Sequence, residues 1–464
     1  MLFSSISFLY VFLPVTLLVY YITPQRYRNF VLLIASLFFY FCGEPVYVLL
    51  LIFSSLSDWL HSLYIEEHRG SKGAKRAFIS SIIINLAMLG FFKYTDFFIA
   101  TLNSLFSLNI PLTNIPLPLG ISFFTFQTMS YTIDVYRGKI HAQRNLLTLA
   151  TFVCLFPQLV AGPIVRYSDI ERELSQREQS WEGMALGIRR FVVGLGEKVL
   201  IANAMGELCA AFAASADKSV LFCWLYAIGF MLQIYYDFSG YSDMAIGLGQ
   251  MFGFSFPENF DHPYLSLSIT EFWRRWHMTL GGWFRDYVYI PLGGNRVDKR
   301  YKWFRNIAVV WLLTGLWHGA AWNFVLWGAL FGVILVIEKL WLLRGLERLP
   351  KIVRHMYVLF LVLLSFVLFN ADSVGGALGT IGGLFGYGGL AAVSAEAIYY
   401  LRSFAVLLIV AAVGATELPL RFGRWLGSKS ISAVLEPVAV AALAIACTAY
   451  LVDGSFNPFL YFRF

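Results

Sequence analysis

The sequence predicts an all-α membrane protein that crosses the bilayer many times. Of its 464 residues, 58% are hydrophobic and only 14% are charged, and the mean hydropathy is +0.67. Apolar stretches long enough for a helix to cross a bilayer recur from one end of the chain to the other. These observations exclude an ordinary soluble domain and predict about eleven transmembrane helices, together with re-entrant and interfacial helices.

The candidate spans are distributed along the whole chain, at about 5–22, 29–60, 77–100, 119–136, 184–214, 220–254, 304–340, 353–370, 398–419 and 434–452. We expect a break at Gly43–Pro45, a hairpin within 304–340, and a re-entrant path for 147–163, which proline and glycine interrupt. The glycine-rich tract 375–389 is predicted to be a flexible connection. Polar passages are only loop-sized, so residues 1–464 are predicted to form a single integral membrane domain.

The net charge of +7 is concentrated in particular loops. Lysine and arginine crowd residues 69–76, 137–144, 166–190, 274–305, 339–354 and 421–429, whereas 101–118 and 371–397 contain none. The positive-inside rule places the first set in the cytoplasm and the second outside. The excess charge therefore indicates topology, and nucleic acid is not an expected partner. The cysteines and the remaining histidines lack metal-ligand spacing, so no metal site is predicted.

Two apolar stretches carry polar groups at membrane depth. Residues 116–138 contain Ser, Thr, Gln and Asp, which predicts either a helix that lines an interior cavity or one that makes interhelical hydrogen bonds. Asp237 and Asp243 interrupt residues 233–254. Because they are six residues apart, they point to different sides of a helix, and each is expected to pair with a neighbouring helix or to take part in chemistry.

Residues 271–327 hold the strongest candidates for chemistry. Ser268 and Glu271 form a capping-box pattern, and Arg275 can pair with Glu271 four residues before it. With the tryptophans nearby, this predicts a basic helix in the plane of the membrane surface that ends or bends at Gly281–Gly282. Arg274 and Arg275 suit the phosphate groups of a donor. The alternative is that they anchor the helix to lipid headgroups.

His318 lies in a run with no other charged residue. On one continuous helix it would share a face with Thr314 and Trp322, and the G-x-x-x-G at 315–319 would let another backbone approach closely. A neutral imidazole at this depth suits a general base or an acyl carrier. The alternative is a hydrogen-bonded packing residue. His277, beside arginines, is expected to orient substrate or to line the entry of the donor.

Three long motifs give the chain a family resemblance: YYDFSGYSDMAIG (235–247), FWRRWHMTLGGWFRDYVYIPLGGNR (272–296) and LTGLWHGAAWNFVLWG (313–328). They resemble the membrane-bound O-acyltransferase family, in particular its bacterial branch of alginate O-acetyltransferase membrane subunits and D-alanyl-teichoic-acid export proteins. QLVAGPIVRY (158–167) and FNPFLYFRF (456–464) are similar to the alginate-acetylation type.

The resemblance implies an O-acetyltransferase in the bacterial inner membrane, built as helices around a central funnel. The donor would be acetyl-CoA or an acyl carrier from the cytoplasm, with no bound cofactor. The acceptor would be an exported polysaccharide, reached through an esterase-like partner outside the membrane. His318 matches the family's catalytic position and His277 its second histidine. The candidate donor- or substrate-binding residues are Arg274, Arg275, Trp276, Asp237 and Asn323.

Other functions remain open on the sequence alone. Within the enzyme class these are D-alanyl transfer to teichoic acid and long-chain acylation of a lipid or protein. A transporter or flippase is the alternative from another class, because buried Asp and His also mark ion pathways. Transporters of that kind usually show two related halves, and no matched pair of repeats is evident here.

Overall fold

The protein is all-helical in the part that the computed structural model describes, residues 1–429, 431–454 and 460. Within it, seven helices are long and apolar enough to cross a membrane: Val48–Glu67, Lys72–Phe106, Val220–Met251, Trp322–Leu346, Lys351–Asn370, Ala395–Gly414 and Ser432–Asp453. The chain is therefore an all-α polytopic membrane protein. The count of about eleven spans remains a prediction. The terminal motif 456–464 lies outside the described residues, except for residue 460.

The chain divides into two compact units. Unit 1 comprises Met1–Phe191 and Ser242–Pro257. Its helices are α1 (Phe8–Ile22), α2 (Arg28–Phe41), α3 (Val48–Glu67), α4 (Lys72–Phe106), α5 (Ile121–Tyr136), α6 (Leu146–Cys154), α7 (Phe156–Leu159) and α8 (Tyr167–Ser175). The gap between α2 and α3 contains Gly43–Pro45, where the sequence predicted a break.

The interior of unit 1 is polar around α5, in which every residue from Ile121 to Val135 is buried. Thr128 donates to the Asn85 side chain on α4 at 3.0 Å, and the Tyr131 and Ser62 hydroxyls lie 3.0 Å apart. Asn85 in turn donates to both carboxylate oxygens of Asp58. Polar residues of α5 are thus used for hydrogen bonds between helices, as one of the two alternatives predicted.

Unit 2 comprises Val192–Tyr241 and Glu258–Phe464. Two long helices, α9 (Trp181–Gly196) and α11 (Val220–Met251), run through both units. The other helices of unit 2 are α10 (Asn203–Ala214), α12 (Ile269–Arg275), α13 (Met278–Phe284), α14 (Arg300–His318), α15 (Trp322–Leu346), α16 (Lys351–Asn370), α17 (Val374–Leu384), α18 (Ala395–Gly414), α19 (Leu418–Gly427) and α20 (Ser432–Asp453).

α14 and α15 form the hairpin predicted for residues 304–340. A Cβ added to Gly315 would meet the backbone of Phe324, and one added to Gly328 would meet the Trp311 carbonyl oxygen. Glycine at these two positions therefore lets the two helices approach backbone to backbone. The prediction for 375–389 was wrong in its first half, because α17 begins at Val374 with the Ser373 side chain accepting from the Gly376 N–H.

Candidate active site

The two predicted catalytic histidines both lie in unit 2, and both are buried. His277 is 2% exposed and His318 is 6% exposed. Each imidazole packs on the indole of Trp317, with ring centroids 5.8 Å away for His277 and 5.0 Å away for His318. The structure thus brings the two histidines, which are 41 residues apart in the sequence (318 minus 277), to one aromatic side chain.

His277 occupies a sharp break between two short helices. α12 ends at Arg275, and His277 has the left-handed backbone conformation φ 44°, ψ 53°. α13 then runs through Gly281–Gly282 without interruption, so this pair does not end the helix, which was one of the two outcomes predicted. A non-glycine residue in the left-handed region is uncommon and costs about 1–3 kcal/mol, which its surroundings must offset.

Backbone hydrogen bonds from the preceding segment hold this break. The Met278 N–H donates to the Asn259 carbonyl at 2.9 Å, and the Asp261 N–H donates to the Arg275 carbonyl at 2.9 Å. The two bonds flank His277 on either side. The segment 259–261 therefore fixes the exit of α12 and the start of α13, and with them the position of the imidazole.

The beginning of α12 is fixed to α15 by a buried acid. The Glu338 carboxylate, with 0% exposure, accepts from the Ile269 and Thr270 N–H groups at 2.7 and 2.8 Å. Ser268 caps the helix through the Glu271 N–H at 3.0 Å, as the sequence predicted. A carboxylate at a helix N-terminus satisfies free N–H groups and complements the helix dipole.

His318 is the last residue of α14. The helix stops there, and Trp322 begins α15 with its side chain 55% exposed, so the prediction of a shared face for Thr314, His318 and Trp322 was wrong. The imidazole instead packs edge-to-face against Trp327 at 5.0 Å and Phe369 at 5.4 Å.

Asn323 affects the aromatic surroundings of His318 indirectly. Its side-chain amide donates to the carbonyls of Phe369 at 3.2 Å and Ala371 at 2.9 Å, which ties the start of α15 to the end of α16. Phe369 is one of the rings against His318. The structure therefore places Asn323 behind the rings that surround His318, where it fixes their position.

A closed cavity of 20 Å³ adjoins His318, with room for about one water molecule. We call it the closed cavity. Its lining is mostly apolar, and Asp237 and His318 are its two titratable members. The full lining is Ile234, Asp237, Phe238, Trp276, His318, Trp327, Phe366, Phe369 and Leu460. Trp276, only 4% exposed, thus belongs to the surroundings of His318, where it stacks on Phe272 at 5.4 Å.

Asp237, which lines the closed cavity, forms a buried ion pair. Its Oδ1 lies 2.6 Å from Lys198 Nζ, and its Oδ2 accepts from the Leu460 N–H at 2.8 Å. In unit 1, Asp243 pairs with Arg190 at 2.8 Å. Both aspartates thus make the salt bridges to neighbouring elements that the sequence left as one alternative.

A larger cavity of 620 Å³, the basic cavity, is lined by His277 and by three cations, Arg274, Arg285 and Lys339. Arg285 also pairs with Asp286 at 2.7 Å, which raises the pKa of Arg285. Arg275 has another setting, since its guanidinium pairs with Glu271 at 3.0 Å and with Asp261 at 3.5 Å. The structure thus places Arg274, but not Arg275, in the cavity lining.

A third cavity of 710 Å³, the open cavity, is lined by polar side chains that include Lys218, Asn370 and Asp372. Leu460 lines both this cavity and the closed cavity. Along the chain, Gln233 and Asn370 of the open cavity directly adjoin Ile234 and Phe369 of the closed one. The polar open cavity and the cavity beside His318 therefore share one lining residue, Leu460, and have neighbouring residues along two helices.

Burial lowers the pKa of His277 well below its ordinary value, and the nearby His318 lowers it further. His277 lies between α12 and α13, outside the helices that are long enough to span a membrane. Its imidazole is therefore neutral at physiological pH, which is the state that accepts a proton or a hydrogen bond.

Sequence reasoning missed several residues of the site, namely Asn259, Lys198, Trp327, Lys339 and Leu460. Trp327 lies inside the motif 313–328 and Lys339 in a basic cluster, so both carried a signal. Asn259 and Lys198 carried none, because their roles depend on which segments pack together.

Comparison of sequences shows to which family the chain belongs. Residues 122–369 match the membrane-bound O-acyltransferase family, and this range includes both histidines and all of the basic cavity. The chain belongs to this family, and it is an acyltransferase.

The relatives cover between about half of the chain and all of it. A probable alginate O-acetylase of Azotobacter vinelandii is 37% identical over the full length of both chains. The peptidoglycan O-acetyltransferase of Helicobacter pylori is 34% identical over 84% of this chain and 81% of its own. A teichoic acid D-alanyltransferase of Bacillus subtilis is 31% identical over 47% of this chain and 58% of its own.

Proposed function

We propose that this protein takes an acetyl group from a thioester donor on the cytoplasmic side and delivers it for O-acetylation of an exported polysaccharide. The observation that carries the proposal is that two buried histidines packed on one indole border different cavities. His277 lines the basic cavity, and His318 lines the closed cavity beside the open one. The relatives that match most of the chain are named for O-acetylation.

Loop charge supports the orientation of the two large cavities. The cations of the basic cavity, Arg274, Arg285 and Lys339, come from clusters that the positive-inside rule assigns to the cytoplasm. The open cavity is lined by Asp372, Gly376 and Thr380, from the segment 371–397 that lacks Lys and Arg. The donor would therefore enter the basic cavity and the acceptor the open one, on opposite sides of a bacterial inner membrane.

The donor proposed for the basic cavity is acetyl-CoA or an acyl carrier. Both carry phosphate next to the pantetheine arm, and Arg274, Arg285 and Lys339 supply the positive charge that phosphate requires. A cavity of 620 Å³ is large enough for the arm and its phosphate. No bound cofactor is needed, because the donor is itself a substrate.

The chemistry assigned to His318 is general base catalysis. Its imidazole takes the proton from the acceptor hydroxyl as the oxygen attacks the acetyl carbonyl carbon. The carbon–sulfur bond then breaks, and the proton passes to the leaving sulfur, so that hydroxyl and thioester become ester and thiol. The apolar rings of Trp327 and Phe369 keep bulk water from competing with the hydroxyl.

An esterase-like protein outside the membrane is the proposed partner that hands the acetyl group to the polysaccharide. The acceptor at the open cavity would then be a hydroxyl of that partner. The chain has no G-x-S-x-G motif of its own for this step. D-alanyl transfer is the second candidate, supported by a relative that covers about half of this chain.

The test is His318→Ala in cells that make an acetylated exopolysaccharide. We expect a folded, inserted protein and a loss of polysaccharide acetate. His141→Ala is the matched control, because this exposed histidine of unit 1 contacts only Glu66 among its described ion pairs. Normal acetate content with His318→Ala would overturn the proposal. Loss of D-alanine, with acetate unchanged, would favour the second candidate.

A further inference from the structure

The side chain of Asn259 makes a set of contacts that determines the hydrogen position on His277. Its Oδ1 lies 3.1 Å from His277 Nδ1, 2.9 Å from the Thr279 hydroxyl and 3.3 Å from the Thr279 backbone nitrogen. Asn259 is 1% exposed, so these contacts replace water at both the amide and the imidazole. Thr279 lies two residues after His277, on the first turn of α13.

The backbone N–H of Thr279 shows which end of the Asn259 side-chain amide faces His277 and Thr279. A backbone N–H only donates, so the Asn259 atom opposite it must be the carbonyl oxygen and not the NH₂ group. That oxygen can only accept. His277 Nδ1 must therefore carry the hydrogen, which leaves Nε2 as the unprotonated nitrogen of the neutral ring.

We infer that Asn259 is the positioning residue of the acyl transfer site, where it fixes His277 in the Nδ1–H form and so directs the basic Nε2 nitrogen to the acyl donor. This inference rests on the proposed function. The side chain sets the tautomer, and the backbone carbonyl of the same residue, through Met278, holds His277 in its left-handed conformation. One residue thus controls both the place and the chemistry of the ring.

The charges around His277 agree with a neutral ring. Arg274, Arg285, Tyr289 and Lys339 share the basic cavity with His277. The segments that contact the ring through Phe238, Asn259 and Trp317 add Asp237, Glu258, Asp261, His262 and His318. Of the acids, Asp261 pairs with Arg275 and Asp237 with Lys198, while Glu258 is exposed. Burial, and after it the nearby His318, lower the pKa of His277, so a neutral Asn and not an acid at position 259 keeps Nε2 free of a proton.

The first experiment replaces Asn259 with Asp in the full-length protein and measures acetyl transfer against pH in membranes. The carboxylate keeps the oxygen acceptor but adds a negative charge, which raises the pKa of His277 by about 1–3 units. The acid limb of kcat/KM should move to higher pH by a similar amount. An unchanged pH profile in an active Asn259→Asp variant would overturn the inference.

The second experiment compares Asn259→Ala with Thr279→Val. Asn259→Ala removes the acceptor and should lower kcat about 100-fold, whereas Thr279→Val removes only the hydroxyl contact and should have a smaller effect. The ¹⁵N signals of His-labelled protein, assigned with His277→Gln, should show Nδ1–H in the wild type and a mixture of tautomers in Asn259→Ala. A wild-type signal from the Nε2–H form would refute the inference even if variants fold poorly.

Asn29→Ala is the matched control for the loss of asparagine hydrogen bonds. In unit 1, Asn29 donates to the Leu174 carbonyl and accepts from Arg177. This variant should lose stability but keep the wild-type pH profile and ¹⁵N signals. The proposed function fails if the wild-type protein transfers no acetyl, whereas the inference fails if it does so and Asn259→Asp leaves the profile unchanged.

Discussion

Lys198 and Asp237 form an ion pair with 2.6 Å between Nζ and Oδ1, and the two side chains are only 3% and 4% exposed. Lys198 also donates to the Asn203 side chain at 2.8 Å. Asp237 borders the closed cavity and accepts from the backbone N–H of Leu460, which lines both that cavity and the open one. The pair therefore joins the segment just before α10 to α11 and residue 460, beside the cavity that His318 lines.

Removing one partner of this ion pair should destabilise the protein. Lys198→Met leaves the Asp237 carboxylate buried without its cation, so we expect unfolding in detergent to be easier by about 3–5 kcal/mol. The double variant Lys198→Met with Asp237→Leu should recover much of that loss, because no charge is then left buried. Thermal unfolding of the three proteins measures this. If the double variant is no more stable than Lys198→Met, the pair is not the reason for the loss.

Substitutions of Arg274 and Arg275 should differ in their effect on donor binding. Arg274→Ala removes a cation from the basic cavity and should raise the KM for the donor, with a smaller effect at high salt. Arg275→Ala breaks ion pairs with Glu271, whose side chain is 32% exposed, and with Asp261, whose side chain is 60% exposed. Because exposed ion pairs are weak, this variant should lose less than about 1 kcal/mol of stability. Equal KM values for the two variants would show that Arg274 does not bind the donor.

Periodicity and charge predicted the class of fold because a bilayer makes strong demands on sequence. The helical hairpin at 304–340 and the break at Gly43–Pro45 follow directly from apolar length and from proline and glycine. The sequence predicted an end or a bend of the helix at Gly281–Gly282 and missed the break at His277. That break is held by the hydrogen bond from the Met278 N–H to the carbonyl of Asn259. Local propensity cannot include such tertiary contacts.

In the candidate active site, the sequence identified those residues whose type is unusual in an apolar run. A histidine in an uncharged run drew attention to His318, and the structure places it in a closed aromatic pocket. The sequence did not identify the rings that contact His318. Trp327 was marked only by lying in the motif 313–328, and Phe369 looks like an ordinary apolar residue until the helices pack. The sequence separated Arg274 and Arg275 only in part. It predicted the pair of Arg275 with Glu271, which the structure confirms. That Arg274 lines the basic cavity is shown only by the fold.

Close packing of the hairpin that ends in His318 should depend on Gly315. A Cβ at this position would collide with the backbone of Phe324, so Gly315→Ala should push α15 away from α14 and cost about 1–3 kcal/mol. The displacement would also disturb the contact of His318 with Trp327 and lower kcat. Gly345→Ala is the control, since a Cβ there meets nothing within 4 Å. Equal unfolding temperatures for the two variants would exclude this packing role.

The depressed pKa of His277 should make stability depend on pH in a defined direction. Between the folded pKa and the unfolded value of about 6.5, the unfolded chain binds a proton at this histidine and the folded protein does not. Stability from this group is therefore complete above about pH 6.5 and falls by up to about 1.4 kcal/mol for each pH unit below it. His277→Gln should remove this part of the slope. The measurement is chemical or thermal unfolding in detergent from pH 7.5 to 5 for the wild type and the variant. An identical slope in the two proteins would mean that the pKa of His277 is the same in the folded and unfolded states. That result would contradict the lowered pKa that burial gives His277.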